Sequence, residues 1–297
     1  MRWMITGSGG QLGRCLVRRL DAGQGHRLAA ALDRAHLDVT DRAAVAAALD
    51  AARPDVVANA AAFTWVDRCE TEPELARRVN AEAPGLLAEE CAVRAIRLVH
   101  ISTDYVFDGQ GSRPYTEEDL TAPRSEYGRS KLEGERQVRA ALPAALIVRT
   151  SWLFGPGRNF IATMLDLARK RRAEADASPL RVVDDQFGSP TYAGDLAGWI
   201  LQLVERNARG LYHLTNRGVA TWWEVAREAL DLGGFGDILI ERVASSEFLR
   251  AAPRPAYSAL DGSKAEAAGV CRREWREALA AYMASDDLPQ KASEEKK

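Results

Sequence analysis

Three glycines at the start of the chain restrict its fold more than any other pattern in the sequence. Gly7, Gly10 and Gly13 lie three residues apart, after a short apolar segment over 3–6 and before an amphipathic segment over 11–20. In such a setting the first glycine allows a tight turn and the third allows close packing of helix on strand. The second lets the backbone approach a pyrophosphate, which then lies at the positive end of the helix. The motif predicts a dinucleotide-binding βαβ unit.

The rest of the first 150 residues continues this alternation. We predict strands over 3–6, 28–32, 56–62, 98–102 and 145–149, and helices over 11–20, 41–51, 72–93 and 127–140. Strands separated by helices in this way form a parallel sheet covered on both faces. The fold class is therefore α/β, with a Rossmann-like doubly wound parallel sheet.

Proline and glycine become more frequent after Arg149, which predicts a second, smaller region. We assign residues 1–150 to a dinucleotide-binding domain and residues 151–285 mainly to a C-terminal substrate-binding region. A predicted helix over 193–205 and a strand over 211–215 indicate that a segment near 180–215 returns to the first domain. Residues 286–297 are polar and charged, as is typical of a disordered tail.

Composition excludes several classes of protein. The 297 residues carry 40 basic and 42 acidic side chains, a net charge of −2, which argues against general nucleic-acid binding. No apolar run reaches the ~20 residues that cross a membrane, and glycines follow the N-terminus too early for a secretory signal. The four cysteines form no C-x-x-C pair, which argues against a zinc ribbon or a disulfide scaffold. We expect a cytoplasmic protein with no evident metal site.

A tyrosine and a lysine at helical spacing suggest acid–base chemistry. Tyr127 and Lys131 are four residues apart at the start of a predicted helix, so their side chains share one face. A nearby ammonium favours the phenolate and so brings tyrosine closer to the range needed for proton transfer. Lys131 is also the only lysine before residue 170, in a chain whose other early basic residues are arginines. We predict that Tyr127 and Lys131 are catalytic, and that Lys131 hydrogen-bonds the nicotinamide ribose.

Other candidate residues follow the ends of predicted strands, where ligands bind in open α/β sheets. Thr103 and Asp104 follow the fourth strand and are predicted to face the substrate. Asp33 ends the second strand 20 residues after Gly13, where an acid contacts the adenosine ribose. Arg34 comes next and suits a 2′-phosphate, so NADPH and NADH both stay open. Further along, Asp38 and Val39 are candidates to lie beside the adenine.

Taken together, these motifs resemble a known family. The pattern is similar to the extended short-chain dehydrogenases/reductases and, within them, to the dTDP-4-dehydrorhamnose reductase family. The matching segments span nearly the whole chain: ITGSGGQLG (5–13), PDVVANAAAFTWVD (54–67), HISTDYVFDG (100–109), APRSEYGRSKLEGE (122–135), IVRTSWLFGPGRNF (147–160), VVDDQFGSPT (182–191), LYHLTN (211–216) and RPAYSALD (254–261). The motifs STDYVFDG and YGxSK occur together in several sugar-nucleotide enzymes. The segments after residue 147 are what make the resemblance specific to this family.

The resemblance implies an activity and site roles. The activity would be NAD(P)H-dependent reduction of the C4 keto group of dTDP-4-dehydro-L-rhamnose to dTDP-L-rhamnose, with a dTDP-sugar as substrate. Tyr127 would donate the proton, and Thr103 would act beside it near the reacting oxygen. The cofactor would be bound by Gly10, Gln11 and Leu12 at the pyrophosphate and by Ala61, Ala62 and Phe63 along its path. The sugar nucleotide would contact Asp104, Trp152 and Arg254.

Several points stay open at this stage. Phe63 and Trp65 depart from the family pattern, which leaves the substrate preference undetermined. Some family members share Mg²⁺ across a dimer through acids on the first helix and near the C-terminus, but Cys15 stands at the helix position here, and a thiol is a poor Mg²⁺ ligand. We therefore expect a monomer or weak homodimer. The alternatives are a related sugar-nucleotide epimerase or dehydratase, and a non-catalytic regulatory subunit.

Overall fold

The computed structural model describes residues 1–23 and 25–289 of the chain. The strands are β1 (Arg2–Thr6), β2 (Arg27–Leu32), β3 (Val56–Asn59), β4 (Arg97–Thr103), β5 (Leu146–Thr150), β6 (Leu153–Phe154), β7 (Leu180–Val183), β8 (Phe187–Gly188), β9 (Thr191–Tyr192), β10 (Gly210–His213), β11 (Ala220–Thr221) and β12 (Ile240–Val243). The helices are α1 (Gln11–Asp21), α2 (Arg42–Ala52), α3 (Val66–Thr71), α4 (Pro73–Arg77), α5 (Ala83–Val93), α6 (Glu126–Ala141), α7 (Phe160–Ala173), α8 (Ala193–Glu205), α9 (Trp222–Leu232), α10 (Ser263–Ala267) and α11 (Trp275–Met283).

A six-stranded sheet forms the centre of the molecule. Its strand order is β10-β5-β4-β3-β1-β2, and all neighbouring strands run parallel. Strand order reverses between β1 and β3, so a crevice opens beyond the carboxyl ends of these two strands, where ligands of such sheets bind. The predicted α/β fold class with a doubly wound parallel sheet is confirmed.

Helices cover both faces of this sheet. On one face α1 and α8 pack against β1 and β5 through apolar residues such as Leu16, Leu196 and Ile200, which are completely buried. On the other face α2, α5 and α6 pack through residues such as Leu49 and Leu87. The alternation of strands and helices along the sequence thus places helices on both faces of the sheet, as a parallel sheet requires.

The second region has its own apolar core, built from α7, α9 and α11. It includes Ile161, Leu165 and Trp275, and β7 pairs in parallel with β12 there. The helix α8 packs on the large sheet and β10 forms one edge of it, while the division of the chain into domains stays a prediction. Residues 180–183 instead form β7 in the second region.

The chain end departs from the sequence-based expectation at one residue. We expected disorder over 286–297, yet Asp287 is 5% exposed and its carboxylate accepts a hydrogen bond from Tyr192 at 2.5 Å. A buried acid with partners on distant segments is fixed in place whatever the polarity of its sequence neighbours. Residues 290–297 lie outside the described residues. Within the part of the chain that the structure describes, no helix is long and apolar enough to cross a membrane.

Candidate active site

The glycine loop forms a tight backbone cradle between β1 and α1. Gly7 has φ of +68°, and a Cβ there would lie 2.6 Å from the backbone of Ala60 on the neighbouring strand end. A Cβ at Gly13 would lie 2.3 Å from the carbonyl oxygen of Gly7. Neither position has room for a side chain, which is the close approach that the motif predicts. The first N–H groups of α1 face the crevice without a side-chain cap.

A single large cavity of about 690 Å³ adjoins this cradle. One end is lined by the glycine loop and the turn after β3. The middle is lined by the ends of β4 and β5 together with the first turn of α6. The far end is lined by aromatic and basic side chains of the second region, namely Trp152, Arg158, Phe160 and Trp222. The cavity therefore has a cofactor end in the first region and a second end in the other, with Tyr127 and Lys131 between them.

Tyr127 and Lys131 share one face of α6, as the sequence spacing predicts. Ser125 caps this helix by accepting a hydrogen bond from the N–H of Gly128 at 3.1 Å, which fixes its first turn. The Lys131 ammonium is almost fully buried and donates to the carbonyl oxygen of Ile101 at 2.6 Å. Burial lowers the pKa of Lys131 to about 8, and the negative charge of Glu135 partly opposes that change.

The protonation balance at Tyr127 differs from the sequence-based expectation. Burial raises the pKa of Tyr127 well above its usual value, the Thr103 hydroxyl lowers it, and the charge of Asp104 raises it further. We expected Lys131 to lower this pKa, but any such effect is smaller than the three just named. The Lys131 ammonium is directed to the β4 backbone instead. Burial thus favours the neutral phenol form of Tyr127.

Thr103 and Asp104 sit at the carboxyl end of β4, directly beside Tyr127. The Thr103 hydroxyl donates to Asp104 Oδ1 at 3.0 Å and accepts from the N–H of Tyr105 at 3.2 Å. Asp104 is 2% exposed, and burial raises the pKa of its carboxyl to about 6, while the nearby Ser258 and Thr103 hydroxyls lower it. The edge of Tyr105 packs on the Tyr127 ring at 5.5 Å.

A buried ion pair beneath these residues was not singled out by sequence reasoning. Arg149 on β5 donates two hydrogen bonds to Glu135 on α6, at 2.8 and 2.7 Å, and both side chains are at most 3% exposed. Glu135 also accepts from Ser102 at 2.5 Å. The pair ties α6 to the strand ends that carry Thr103. The sequence offers one signal for the involvement of Glu135, because this residue follows Lys131 by one helical turn on the same helix face.

The predicted adenosine contacts lie at the edge of the cofactor end. Asp33 accepts hydrogen bonds from His36 at 2.6 Å and from the N–H of Ala35 at 2.9 Å, and it lies beside Gly9 of the cradle. These hydrogen bonds, led by that of His36, lower the pKa of Asp33. Asp38 accepts from Thr40, which lowers its pKa, while Val39 packs on the apolar core. The residues that line the large cavity do not include Gly7, Asp33, Asp38, Val39 or Phe63.

One buried asparagine holds the backbone of the turn after β3 in place. Asn80 donates to the carbonyl oxygen of Phe63 at 3.0 Å and accepts from its N–H at 2.8 Å. This residue lies in a π-helical stretch, Arg78–Glu82, that divides the helix expected over 72–93. Ala61 and Ala62 line the cavity, whereas the Phe63 ring packs away from it against Cys69 and Ala76.

Two tryptophans form the aromatic wall of the second end. Trp152 and Trp222 stack with ring centroids 3.6 Å apart, and Trp152 has φ of +45°. A side chain at Gly188 would collide with the Trp152 ring at 2.2 Å, so this glycine makes room for the stack. A non-glycine residue in this backbone region is often associated with function. Trp222, which sequence reasoning missed, comes from a segment 70 positions along the chain.

Arg254 lies beside this cavity rather than in its wall. Its guanidinium donates to Asp67 at 2.8 Å, and Asp67 also accepts from the N–H of Ala252 at 3.1 Å. The positive charge of Arg254 acts on Tyr105, which separates it from the large cavity. A small crevice on its other side is lined by Arg254 and Arg124. The predicted contact between Arg254 and a diphosphate is therefore not placed within the large cavity itself.

The residues at the cofactor end fit a nicotinamide dinucleotide. Gly7 and Gly13 leave no room for side chains where a pyrophosphate must approach the backbone. Gln11 Oε1 and Thr150 Oγ1 on the cavity wall are buried and have no hydrogen-bond partner among the described residues. The wall thus offers polar atoms that a bound ligand would satisfy.

Mg²⁺ does not fit the corresponding residues near the first helix. Cys15 on α1 lies with its sulfur 3.8 Å from Asp287, and the Tyr192 hydroxyl and the Arg18 guanidinium contact the same carboxylate. A thiol, a phenol and one carboxylate already paired with arginine are a poor set for a hard cation. Within residues 1–23 and 25–289, no group of three or more His, Cys, Asp or Glu side chains could hold a metal ion.

The parallel sheet, the glycine cradle and the Tyr127–Lys131 pair beside Thr103 define a short-chain dehydrogenase/reductase, an oxidoreductase class that uses NAD(P)H. Comparison with known proteins narrows the class. The family model for the RmlD substrate binding domain matches residues 1–287. A Streptomyces griseus dTDP-4-dehydrorhamnose reductase is 45% identical over 288 residues, covering 94% of this chain and 91% of that protein.

Two further relatives agree. A probable dTDP-4,6-dihydroxy-2-methyloxan-3-one 4-ketoreductase from Streptomyces antibioticus is 46% identical over 283 residues, covering 94% of this chain and 93% of its own. The crystal structure of a dTDP-4-dehydrorhamnose reductase from Bacillus anthracis in complex with NADP superposes with a TM-score of 0.88 at 34% identity, covering 95% of this chain and 98% of that one. The chain belongs to the dTDP-4-dehydrorhamnose reductase family.

Proposed function

We propose that the chain reduces the C4 keto group of dTDP-4-dehydro-L-rhamnose to give dTDP-L-rhamnose, with Tyr127 as the proton donor. The observation that carries this proposal is the single cavity, which joins the glycine cradle to the aromatic second end and has Thr103, Tyr127 and Lys131 between them. Family membership supports the reduction of a dTDP-sugar.

Each residue has a defined part in this reaction. When bound, the reduced nicotinamide supplies the hydride. Tyr127 gives its phenolic proton to the keto oxygen, which becomes the C4 hydroxyl, and burial keeps that proton on the phenol until the substrate needs it. Lys131 holds a positive charge near the phenolate that forms and hydrogen-bonds the nicotinamide ribose. The Thr103 hydroxyl binds the same oxygen as charge develops on it.

The activity is tested by following the absorbance of the reduced nicotinamide when the protein meets dTDP-4-dehydro-L-rhamnose. Both NADPH and NADH should be offered, because Asp33 suits a ribose hydroxyl while Arg34 beside it suits a phosphate. We expect oxidation that depends on the sugar nucleotide. No oxidation above background with either cofactor would contradict the proposed substrate.

Replacing the Tyr127 hydroxyl tests the proposed proton donor. We expect Tyr127→Phe to retain NADPH binding, measured by fluorescence titration, and to lose turnover by about 10²–10⁴-fold, the usual range for a positioned acid. Tyr212→Phe is the matched control, since Tyr212 lies on β10 away from the cavity. Full turnover in Tyr127→Phe would remove this hydroxyl from the mechanism.

A reductase acting on a different dTDP-4-keto sugar is the second candidate. The relative at 46% identity is named as such a 4-ketoreductase, and Trp65, 60% exposed at the turn after β3, departs from the family pattern. A panel of dTDP-4-keto-6-deoxy sugars compared by kcat/KM decides between the two.

The earlier alternative of an epimerase or dehydratase predicts tightly retained NAD, which analysis of nucleotide released from the purified protein would reveal. A cytoplasmic location and a monomeric or weakly dimeric state stay predictions.

A further inference from the structure

The Asp104 carboxyl is buried at the reaction centre without a counter-ion. It forms no ion pair with any residue that the structure describes, although it is 2% exposed. The groups that face it are hydroxyls and aromatic rings: Thr103 and Tyr105 from its own segment, Tyr127 from α6, and Ser258 from the segment before α10. A lone carboxylate in such surroundings is costly, which favours its protonated form.

The charged residues nearby are already engaged elsewhere. Arg254 and Asp67, which both act on Tyr105, are paired with each other at 2.8 Å. Lys131 donates to the carbonyl oxygen of Ile101 at 2.6 Å. Burial raises the pKa of Asp104 to about 6, with Ser258 and Thr103 holding it from rising further. The carboxyl therefore changes its charge around pH 6.

The charge of Asp104 decides where the Thr103 proton points. The Thr103 oxygen already accepts the N–H of Tyr105, and the hydroxyl has one proton to donate. A carboxylate only accepts hydrogen bonds, so an ionised Asp104 takes that proton at Oδ1, across the 3.0 Å contact between the two oxygens. Thr103 can then only accept from Tyr127, and this turns the phenolic proton away from a substrate.

Protonation of Asp104 reverses the arrangement. A proton on Oδ1 is donated to the Thr103 oxygen, and the Thr103 proton is freed to point at Tyr127 or at the keto oxygen beside it. Thr103 then stabilises the negative charge that develops during reduction. The second carboxyl oxygen, Oδ2, and the Ser258 hydroxyl are both buried, and neither has a hydrogen-bond partner among the described residues. The Ser258 hydroxyl nevertheless lies close enough to Asp104 to lower the pKa of its carboxyl.

We propose that Asp104 is a positioning residue whose proton, shared with Thr103, sets the direction in which the Thr103 hydroxyl donates. The proposal rests on the proposed function, since the oxygen that Thr103 would face is the C4 keto oxygen of the sugar. It assigns the working form of the site to neutral Asp104.

The test is the pH dependence of kcat/KM with NADPH and dTDP-4-dehydro-L-rhamnose. For the wild type we expect kcat/KM to fall about tenfold between pH 5 and pH 7, as one group of pKa near 6 loses its proton. In Asp104→Asn the side-chain amide can donate to Thr103 at every pH, so this ionisation should vanish. An unchanged ionisation in Asp104→Asn would overturn the proposal.

Ser258→Ala gives a second, milder variant that keeps the titrating group. Because the Ser258 hydroxyl lowers the pKa of Asp104, its removal should move the fall in kcat/KM to higher pH. Ser263→Ala, an exposed serine at the start of α10, is the matched control and should leave the profile unmoved. An unmoved profile in Ser258→Ala would contradict the assignment of this ionisation to Asp104. A general loss of packing would lower kcat/KM at all pH values without moving the profile.

A measurement without turnover separates this proposal from the proposed function. The ¹³C signal of the Asp104 carboxyl, assigned by its absence in Asp104→Asn, should titrate between pH 5 and pH 7 in the substrate-free protein. An Asp104 that stays ionised throughout that range would overturn the proposal even if the wild type turns over. A wild type that titrates as expected but does not oxidise NADPH would instead contradict the proposed substrate alone.

Discussion

At the scale of single residues, the ion pair between Glu135 and Arg149 determines how firmly α6 is held against the sheet. Both side chains are buried, and Ser102 adds a third hydrogen bond to the carboxylate. Removing one partner of such a pair leaves the other charge buried without compensation, which costs more than the pair contributes when intact.

We therefore expect Glu135→Gln to lower the free energy of unfolding by about 3–5 kcal/mol, the range for a broken buried pair. Glu133→Gln on the same helix is the control, because its contact with Arg136 is long, at 3.5 Å, and exposed. Urea unfolding of both variants measures the difference. Equal midpoints would show that the buried pair has no special weight in stability.

At this scale the sequence allowed candidate site residues to be identified, but not the residues with which they form hydrogen bonds. The spacing of Tyr127 and Lys131 predicts a shared helix face, and the structure has it. The contacts of Arg254 with Asp67 and of Tyr192 with Asp287 join segments 187 and 95 residues apart. Such pairs depend on the packing of the whole chain, so no local pattern indicates them. The same reason explains why Trp222 and Asn80 were missed.

At the scale of elements, the position of α6 against the end of β4 is set by a glycine. A Cβ at Gly128 would lie 2.1 Å from the carbonyl oxygen of Tyr105, a backbone atom that cannot turn aside. Because Gly128 directly follows Tyr127, any displacement of the helix at this point also moves the phenol away from Thr103.

We expect Gly128→Ala to reduce kcat by at least about tenfold, the scale on which a misplacement of about 1 Å acts. Gly198→Ala is the matched control, since it also lies inside a helix but its Cβ would meet only the flexible end of Arg19, at 3.0 Å. Steady-state kinetics with cofactor binding measured in parallel tests this. Wild-type kcat in Gly128→Ala would show that the helix start adapts without cost.

Element boundaries were largely predictable from the sequence, and the exceptions have physical causes. The predicted helix over 193–205 coincides with α8, because its apolar face is continuous from one end to the other. The predicted helix over 72–93 divides into α4, the π-helical stretch and α5, where Asn80 turns inward to bind the Phe63 backbone. Tertiary hydrogen bonds of this kind override local periodicity.

At the scale of the whole molecule, side-chain contacts hold the C-terminal segment against α1, the helix that follows the glycine loop. Asp287 contacts Arg18 and Cys15 on α1 and Tyr192 at the start of α8, while Leu288 packs on the core of the second region. An arginine thus supplies the positive charge that this carboxylate needs.

We expect Asp287→Ala to lower stability by about 1–3 kcal/mol, because the Tyr192 hydroxyl and Arg18 lose a buried partner. Asp286→Ala, one residue earlier and exposed, is the control. Thermal unfolding should also give the same midpoint with EDTA and with added Mg²⁺. A midpoint that rises with Mg²⁺ and falls with EDTA would contradict the conclusion that Mg²⁺ does not fit these residues.

The burial of Lys131 in a chain of six lysines has a practical consequence. Lys170 and Lys264 are exposed, and Lys291, Lys296 and Lys297 lie outside the described residues. An ordinary lysine with a pKa of about 10.4 is almost entirely protonated at pH 8, whereas the pKa of Lys131 is lowered to about 8. Neutral amines are the reactive form, so we expect a small amine-selective reagent that enters the cavity to modify Lys131 ahead of Lys170 and Lys264. Mass spectrometry of the labelled protein would show this, with NADPH protecting the residue, and preferential labelling of Lys170 or Lys264 would contradict it. Such labelling would make Lys131 an attachment point within the cavity for an inhibitor or a reporter group.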